Sequence, residues 1–268
     1  MTNSAWDRLS VPGLDDAGQS PLLEPDEPAP FELFNSRGTA NALLVCDHAS
    51  NRLPRRLGTL GLQPAQLQQH IAWDLGAAAV ARGLAQALDA SLILSGYSRL
   101  AIDVNRPLEN PELIPRQSAG IPIPGNQRLN RTERYVRIAT LFQSYHRAIA
   151  RWLDLHHAPA PCMLSLHSFT PRLGGDWRPW DIGLCYGRDT RLVERLRPIL
   201  QQEKSLVVGD NQPYAMKDIH DFTLPTHAET RGIPYIMIEI SQDRLQTSAQ
   251  IATWIERLSR ACEWIADG

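Results

Sequence analysis

The chain has 268 residues, of which 43% are hydrophobic and 21% charged, enough for one large globular core. Its formal net charge of -2 comes without the Lys/Arg clustering that a nucleic-acid footprint needs. No apolar run approaches the ~20 residues of a membrane-spanning helix, and the opening MTNSAWDRLSVPGLDD lacks the charged-then-apolar layout of a signal peptide, so a cytoplasmic protein is expected.

Residues 1–38 are rich in Pro, Gly, Asp and Glu without helical or strand period, and read as an irregular N-terminal arm. Residues 39–268 read as a single catalytic domain. Residues 43–46 form a short apolar strand, and residues 75–88 an Ala/Leu-rich helix for which Asp74 is a suitable N-cap. Residues 91–95 and 100–104 read as strands. The stretch 107–126, dense in Pro and Gly, is too long for a simple connector and reads as a lid or binding loop. From 131 to 155, Tyr135, Ile138, Leu141, Phe142, Tyr145, Ile149 and Trp152 recur at helical spacing. Strands at 163–166 and 182–186, a helix at 190–202, strands at 206–208 and 235–240, and an amphipathic helix from about 247 to 265 complete the order. Strands and helices in alternation predict an α/β fold: a mainly parallel sheet with helices on both faces, its ligand site at the carboxyl ends of the strands. Cys46, Cys162, Cys185 and Cys262 form no C-x-x-C pair and read as buried free thiols.

Four polar clusters follow or interrupt the strand-like runs. They are Asp47-His48-Ala49-Ser50-Asn51, Asp103-Val104-Asn105-Arg106, His167-Ser168, and Glu239 with Ser241, Gln242 and Asp243 behind it. A histidine or aspartate after a strand is commonly a loop cap or turn former. Glu239, inside IMIEI, is different, because a buried carboxylate needs a cation, a hydrogen-bond network or a metal. Two histidines and several carboxylates at converging strand ends suit a divalent ion such as Zn²⁺ with one position left for water. Arg99 and Arg106 offer a bidentate grip on a carboxylate, as a small acidic substrate would need, although a salt bridge explains Arg99 equally well. His70, His146 and His227 read as packing or helix-end residues, and His156 and His157 close the long helix, where an imidazolium suits the helix dipole.

The strings LLVCDHASNRLP, HIAWDLGA, YSRLAIDVNRP, IPIPGN, SLHSFTP, VVGDNQPY and HAETRGIPYIMIEISQD, in that order from residue 43 to 243, resemble the N-formylglutamate amidohydrolase family. The resemblance runs from about residue 30 to the C-terminus. It implies a three-layer α/β/α fold with a mainly parallel mixed sheet, of the phosphorylase/hydrolase-like kind and related to the zinc carboxypeptidases and aspartoacylases. Carried onto this chain, it implies His48 and His167 as metal ligands, Asn105 and Arg106 gripping a substrate carboxylate, and Glu239 as general base. The carboxylate ligand departs from the carboxypeptidase-like pattern, since Asn51 stands where a Glu would be. Asp47 and Asp74 are the candidates, and the resemblance favours Asp74, leaving Asp47 to orient a ligand. Arg99 would assist Arg106. Ser168 would either hydrogen-bond the acyl oxygen or simply shape a turn.

The implied reaction is zinc-dependent hydrolysis of N-formyl-L-glutamate to formate and L-glutamate, late in histidine degradation. Other readings are a hydrolase of another N-acyl amino acid or short peptide on the same scaffold, and a catalytically inactive module that binds acidic ligands. A serine amidase is disfavoured, because no G-x-S-x-G elbow is present. A cysteine amidase is disfavoured because Cys46 and Cys185 read as core residues.

Overall fold

The computed structural model describes residues 22–156, 161–216 and 220–266. Residues 1–21 of the expected arm, and His157, lie outside them. The strands in chain order are β1 (Phe31–Phe34), β2 (Ala42–Cys46), β3 (Ser91–Ser95), the small hairpin β4 (Gln117–Ser118) and β5 (Ile121–Pro122), β6 (Cys162–Phe169), the hairpin β7 (Arg172–Leu173) and β8 (Asp176–Trp177), then β9 (Ile182–Cys185), β10 (Val208–Asp210) and β11 (Tyr235–Ser241). Seven of them form one sheet in the order β1-β3-β2-β6-β11-β9-β10. The central strands β3, β2, β6 and β11 run parallel. β1 is antiparallel to β3 at one edge, and β9 is antiparallel to β11 toward the other.

The period of two along each strand divides the core into two slabs. Ala42, Leu44, Cys46, Leu164, Leu166, Ile236, Ile238 and Ile240 point to one face, against helices α1 (Ala77–Ala87), α4 (Arg191–Leu200) and α6 (Ser248–Ala261). Leu43, Val45, Met163, Tyr235 and Met237 point to the other, against α3 (Gln143–Leu155) and α5 (Thr223–His227). With both faces covered, β6 and β11 are buried along their whole length, which is why they read as nearly unbroken apolar runs. The result is the expected three-layer α/β/α arrangement with a mainly parallel mixed sheet.

Several expected elements are placed differently. Phe31–Phe34, inside the supposed irregular arm, is a true edge strand: Phe31 and Leu33 pack on one slab and Phe34 on the other. The run 100–104 is not a strand. Successive turns occupy it, with Ala101 N donating to Ser98 O and Arg106 N to Asp103 O, and it is buried because the 107–126 segment lies over it. That segment is folded down rather than loose. Leu113 and Ile114 enter the core, and the Asn126 amide donates to Leu100 O (2.9 Å) and Pro115 O (2.8 Å) while accepting from buried Arg137 (2.7 Å). Helix α1 begins two residues later than the spacing predicts, after Gly76 in the left-handed region. The helical stretch from 131 to 155 is divided: α2 (Arg131–Arg137), on which Tyr135 is exposed, runs into a π-helical segment, Ile138–Phe142, before α3 begins. Among the described residues no helix is long and apolar enough to cross a membrane.

Helices α3 and α5 are joined by two buried histidines. His146 Nδ1 lies 3.0 Å from His227 Nε2, and His146 Nε2 lies 2.8 Å from Val104 O. Burial lowers His146 to about 4, and burial with the neighbouring His146 lowers His227 to about 3. Both are therefore neutral in the folded protein at neutral pH. The unfolded chain takes up protons on these rings at about pH 6.5, so their contribution to stability is complete above that pH and falls as pH drops toward the folded values. Urea midpoints measured from pH 7 downward should fall through this window. A His146→Gln/His227→Gln variant should lose that part of the decline, and an unchanged pH profile in the variant would contradict the assignment.

Candidate functional site

Strand register brings the polar groups together. His167 on β6 is the direct partner of Glu239 on β11, and Val45 on β2 is the partner of Ser165, two residues earlier on β6. Continuing β2 by two residues sets Asp47 beside His167, so Asp47, His167 and Glu239 stand in a row on one face at the carboxyl ends of three adjacent strands. His48 follows at once. Asp74 arrives from the segment before α1, its backbone N–H bonded to His48 O (3.0 Å). The Asp74 carboxylate is not spent capping the helix, whose N-cap is Gly76. It turns inward.

One Asp74 oxygen, Oδ2, is shared. It lies 2.9 Å from His167 Nδ1 and 3.3 Å from His48 Nδ1, and also accepts from Ser168 N (3.3 Å). The candidate ligand atoms of His48, Asp74 and His167 all lie within 4.8 Å of one another, and all three residues are buried. The far side of each imidazole is held by a second acid. His48 Nε2 lies 2.7 Å from Asp103 Oδ1, and His167 Nε2 lies 3.1 Å from Asp47 Oδ2. Asp47 is saturated in turn, accepting from Tyr145 OH (2.9 Å), Thr223 Oγ1 (2.8 Å) and Ser165 Oγ (3.2 Å). Asp103 takes the Arg99 guanidinium through Nε (3.0 Å) and a terminal nitrogen (2.6 Å), and Arg99 also reaches Asp74 at 3.7 Å.

The charges follow from these contacts. Burial opposes ionisation of Asp47, but His167 and Thr223 hold it down at about 2. Burial likewise opposes the ionised forms of Asp74 and Asp103, and the imidazoles and Arg99 outweigh it, keeping both below the usual carboxylate range. Burial and Arg99 oppose protonation of His48, yet Asp103 and Asp74 raise it; His167 is raised well above its ordinary value by Asp47 and Asp74 despite its burial. Glu239 is the exception among the acids. Burial raises it to about 7, and its Oε2 has no hydrogen-bond partner among the described residues.

This donor set fits a divalent ion. A neutral imidazole that donates its Nε2 proton to a carboxylate presents a lone pair at Nδ1, the tautomer a metal ligand requires. Both rings set Nε2 against an outer acid and turn Nδ1 toward one Asp74 oxygen, the orientation that tautomer would use with an ion bound. Two imidazoles and a carboxylate, with an unpaired acid alongside, form a three-ligand set that leaves room for water.

These groups line a cleft of about 350 Å³ together with Arg99, Asn105, Arg106 and Ser168. All the residues expected from the sequence to form the site thus border one cavity. Asn105 is fully engaged within the protein: its amide donates to Asp221 (3.1 Å), and its oxygen accepts from Phe222 N and Thr223 N (both 2.9 Å). The Ser168 hydroxyl donates to Leu75 O (2.8 Å). Arg106 donates one terminal nitrogen to Asn105 O (3.2 Å) and His220 O (2.8 Å), and its Nε, which makes no hydrogen bond among the described residues, lies 3.7 Å from Glu112 Oε2.

The roof of the cleft is the segment after β10, which contributes Pro213, Tyr214 and Ala215. It comes down onto the sheet because Gly183, the β9 partner of Glu239, has no side chain: a Cβ there would collide with the Gln212 carbonyl oxygen. VVGDNQPY marks this segment in the sequence without assigning a role to Tyr214. Asp103, Tyr145 and Thr223 were likewise without a role. Of these, Asp103 carried a signal, an acid directly ahead of Asn105-Arg106; Tyr145 and Thr223 lie on helices that only the fold brings to Asp47.

A family model described as N-formylglutamate amidohydrolase matches residues 40–245. Among solved structures, a gene product of Agrobacterium tumefaciens is 33% identical, with 92% of this chain and 98% of that chain covered and a TM-score of 0.87. An N-formylglutamate amidohydrolase from Ralstonia eutropha JMP134 is 20% identical, with 90% and 98% covered and a TM-score of 0.71, a likeness of fold. No curated protein matches at a significant level.

If Asp103 and Asp47 orient the two imidazoles, removing either charge should weaken metal binding without removing a ligand. Asp103→Asn and Asp47→Asn are each expected to lower zinc affinity by about 10–100-fold. Calorimetric titration of the metal-free protein reads this directly, and affinities equal to wild type would show that the outer acids are not positioning the ligands.

Proposed function

This chain belongs to the N-formylglutamate amidohydrolase family, and from that premise we propose that it is a metal-dependent amidohydrolase cleaving the amide of N-formylglutamate or a similar small acidic N-acyl amino acid. The observation that carries the reading is the convergence of His48, Asp74 and His167 beside the unpaired Glu239 oxygen. Those three residues would hold the ion, and zinc suits a set of two imidazoles and one carboxylate. Bound there, the ion supplies Lewis acidity, acidifying water and polarising the acyl carbonyl.

The chain's own residues do the rest. Glu239 takes a proton from the attacking water as its oxygen bonds to the acyl carbon. When the C–N bond breaks, Glu239 gives that proton to the leaving amine. Arg106, with one terminal nitrogen anchored on two carbonyl oxygens, takes a substrate carboxylate and fixes its orientation. Asn105 and Arg99 complete that wall of the cleft. With N-formyl-L-glutamate the products are formate and L-glutamate, a step late in histidine degradation and in the cytoplasm. A panel of N-acyl amino acids and short peptides separates this substrate from others on the same scaffold by kcat/KM. A module that only binds acidic ligands would hydrolyse none of them.

Hydrolysis should cease on complete chelation and return when zinc is restored; full activity without metal would refute the metal role. Glu239→Gln is expected to lower kcat by about 10²–10⁴-fold with the metal retained. Arg106→Ala should act instead on KM, by about 10–100-fold, the loss of one charge-assisted pair. Steady-state kinetics with metal analysis on the same samples distinguishes the two, and a Glu239→Gln variant as fast as wild type would remove Glu239 from the chemistry.

A further inference from the structure

We propose that Tyr214 is a further catalytic residue, donating its phenolic proton to the acyl oxygen of the substrate as that oxygen gains negative charge, with Arg178 as the positioning residue that holds it. The inference rests on the amidohydrolase reading above and adds to it the donor that faces the developing charge.

Most hydrogen-bond donors around the cleft are already committed within the protein. The Ser168 hydroxyl proton goes to Leu75 O, and the Asn105 amide goes to Asp221. Arg99 spends its Nε and one terminal nitrogen on Asp103. Arg106 is the carboxylate clamp. Tyr214 remains. Its oxygen accepts from Arg178 Nη1 (2.8 Å), and its own proton goes to none of the described residues.

Tyr214 is also held in place. The Arg178 guanidinium lies over its ring, 4.8 Å from the centroid, so the pair is joined both by a hydrogen bond and by a cation-π contact. The roof beneath it is pinned to the sheet: Asn211 N donates to Leu184 O (3.0 Å), Tyr186 N donates to Asn211 Oδ1 (2.9 Å), and Gln212 packs against the bare backbones of Gly183 and Gly209. A donor fixed before the reaction needs no reorganisation when charge develops, which is the basis of its effect.

Tyr214 lines the cleft together with His48, Asp74, His167 and Glu239. The charges that bear on it are Glu239, Arg178 and Arg99, so Glu239 and Arg99 from the cleft itself act on its hydroxyl. Burial and Glu239 raise its pKa, outweighing Arg178 and Arg99, and keep it protonated as a donor requires. The hydrogen bond it accepts from Arg178 polarises the O–H and strengthens the bond it can donate.

The test compares wild type, Tyr214→Phe, Arg178→Ala and Arg178→Lys on N-formyl-L-glutamate and the wider panel of N-acyl amino acids. Zinc content, L-glutamate binding by calorimetry and Tm are measured on each. Tyr214→Phe is expected to lower kcat by about 10²–10³-fold, as for loss of one oxyanion donor, leaving KM, zinc content, L-glutamate binding and Tm as in wild type. Arg178→Ala should lower kcat by a smaller factor, and Arg178→Lys should recover part of it. A raised KM at unchanged kcat in Tyr214→Phe, or no change at all, overturns the inference while the hydrolase reading stands. A wild type inert toward the whole panel overturns both.

Discussion

Four carboxylates are buried together, Asp47 and Glu239 at the ends of strands, Asp74 ahead of α1 and Asp103 in the turns after β3, and the ionisable groups facing them are two imidazoles and the Arg99 guanidinium. This imbalance is the constraint on which the rest of the molecule turns. Buried carboxylates are tolerated only when paired and hydrogen-bonded. Three of them are: Asp47 and Asp103 each accept several donors, and Asp74 is shared between His48 and His167. The fourth, Glu239, is left with one oxygen unpaired at the edge of the cleft. Surplus negative charge around two imidazoles that both point at one oxygen is what a divalent cation would balance, and the unpaired acid is where a proton would be carried.

The fold supplies this arrangement with short means. Parallel pairing of β2, β6 and β11 puts Asp47, His167 and Glu239 in one row, and the strict alternation of strand side chains puts them all on one face, beneath α3 and α5. Helix α5 then ties the two halves of the site together. Thr223 at its start holds Asp47, and the backbone of Phe222 and Thr223 holds Asn105, next to Arg106. At its other end His227 meets His146. The roof closes from the opposite side because Gly183, at the level of Glu239, lets a backbone segment lie directly on the sheet. The His48-Asp74-His167 cluster, through Asp47, and the Asn105-Arg106 wall therefore share α5 as a support, and a change in that helix reaches both.

Much of this was legible in the sequence because strands covered on both faces are almost wholly apolar. In IMIEI and MLSLHSF a single Glu or His stands out as a group that burial must explain. The same logic misplaced residues 100–104, where an apolar run is buried by an overlying loop and not by sheet pairing. It also hid Phe31–Phe34, whose edge strand is too short and too flanked by Pro to show a period. Tyr145, Thr223 and Tyr214 had no signal because their roles depend on partners distant in sequence. Local pattern names what must be buried; it does not name what it is buried against.

The central claim is that one divalent ion is held by His48, Asp74 and His167. Anomalous X-ray scattering at the zinc edge, from crystals of the zinc-loaded protein, tests it most directly. The account predicts a single strong peak between His48 Nδ1, His167 Nδ1 and an Asp74 oxygen, at about 2.0–2.2 Å from each, with Glu239 nearby and not coordinated. A peak on other residues, or zinc-loaded crystals in which both imidazoles still rest against Asp74 with no ion between them, would contradict it.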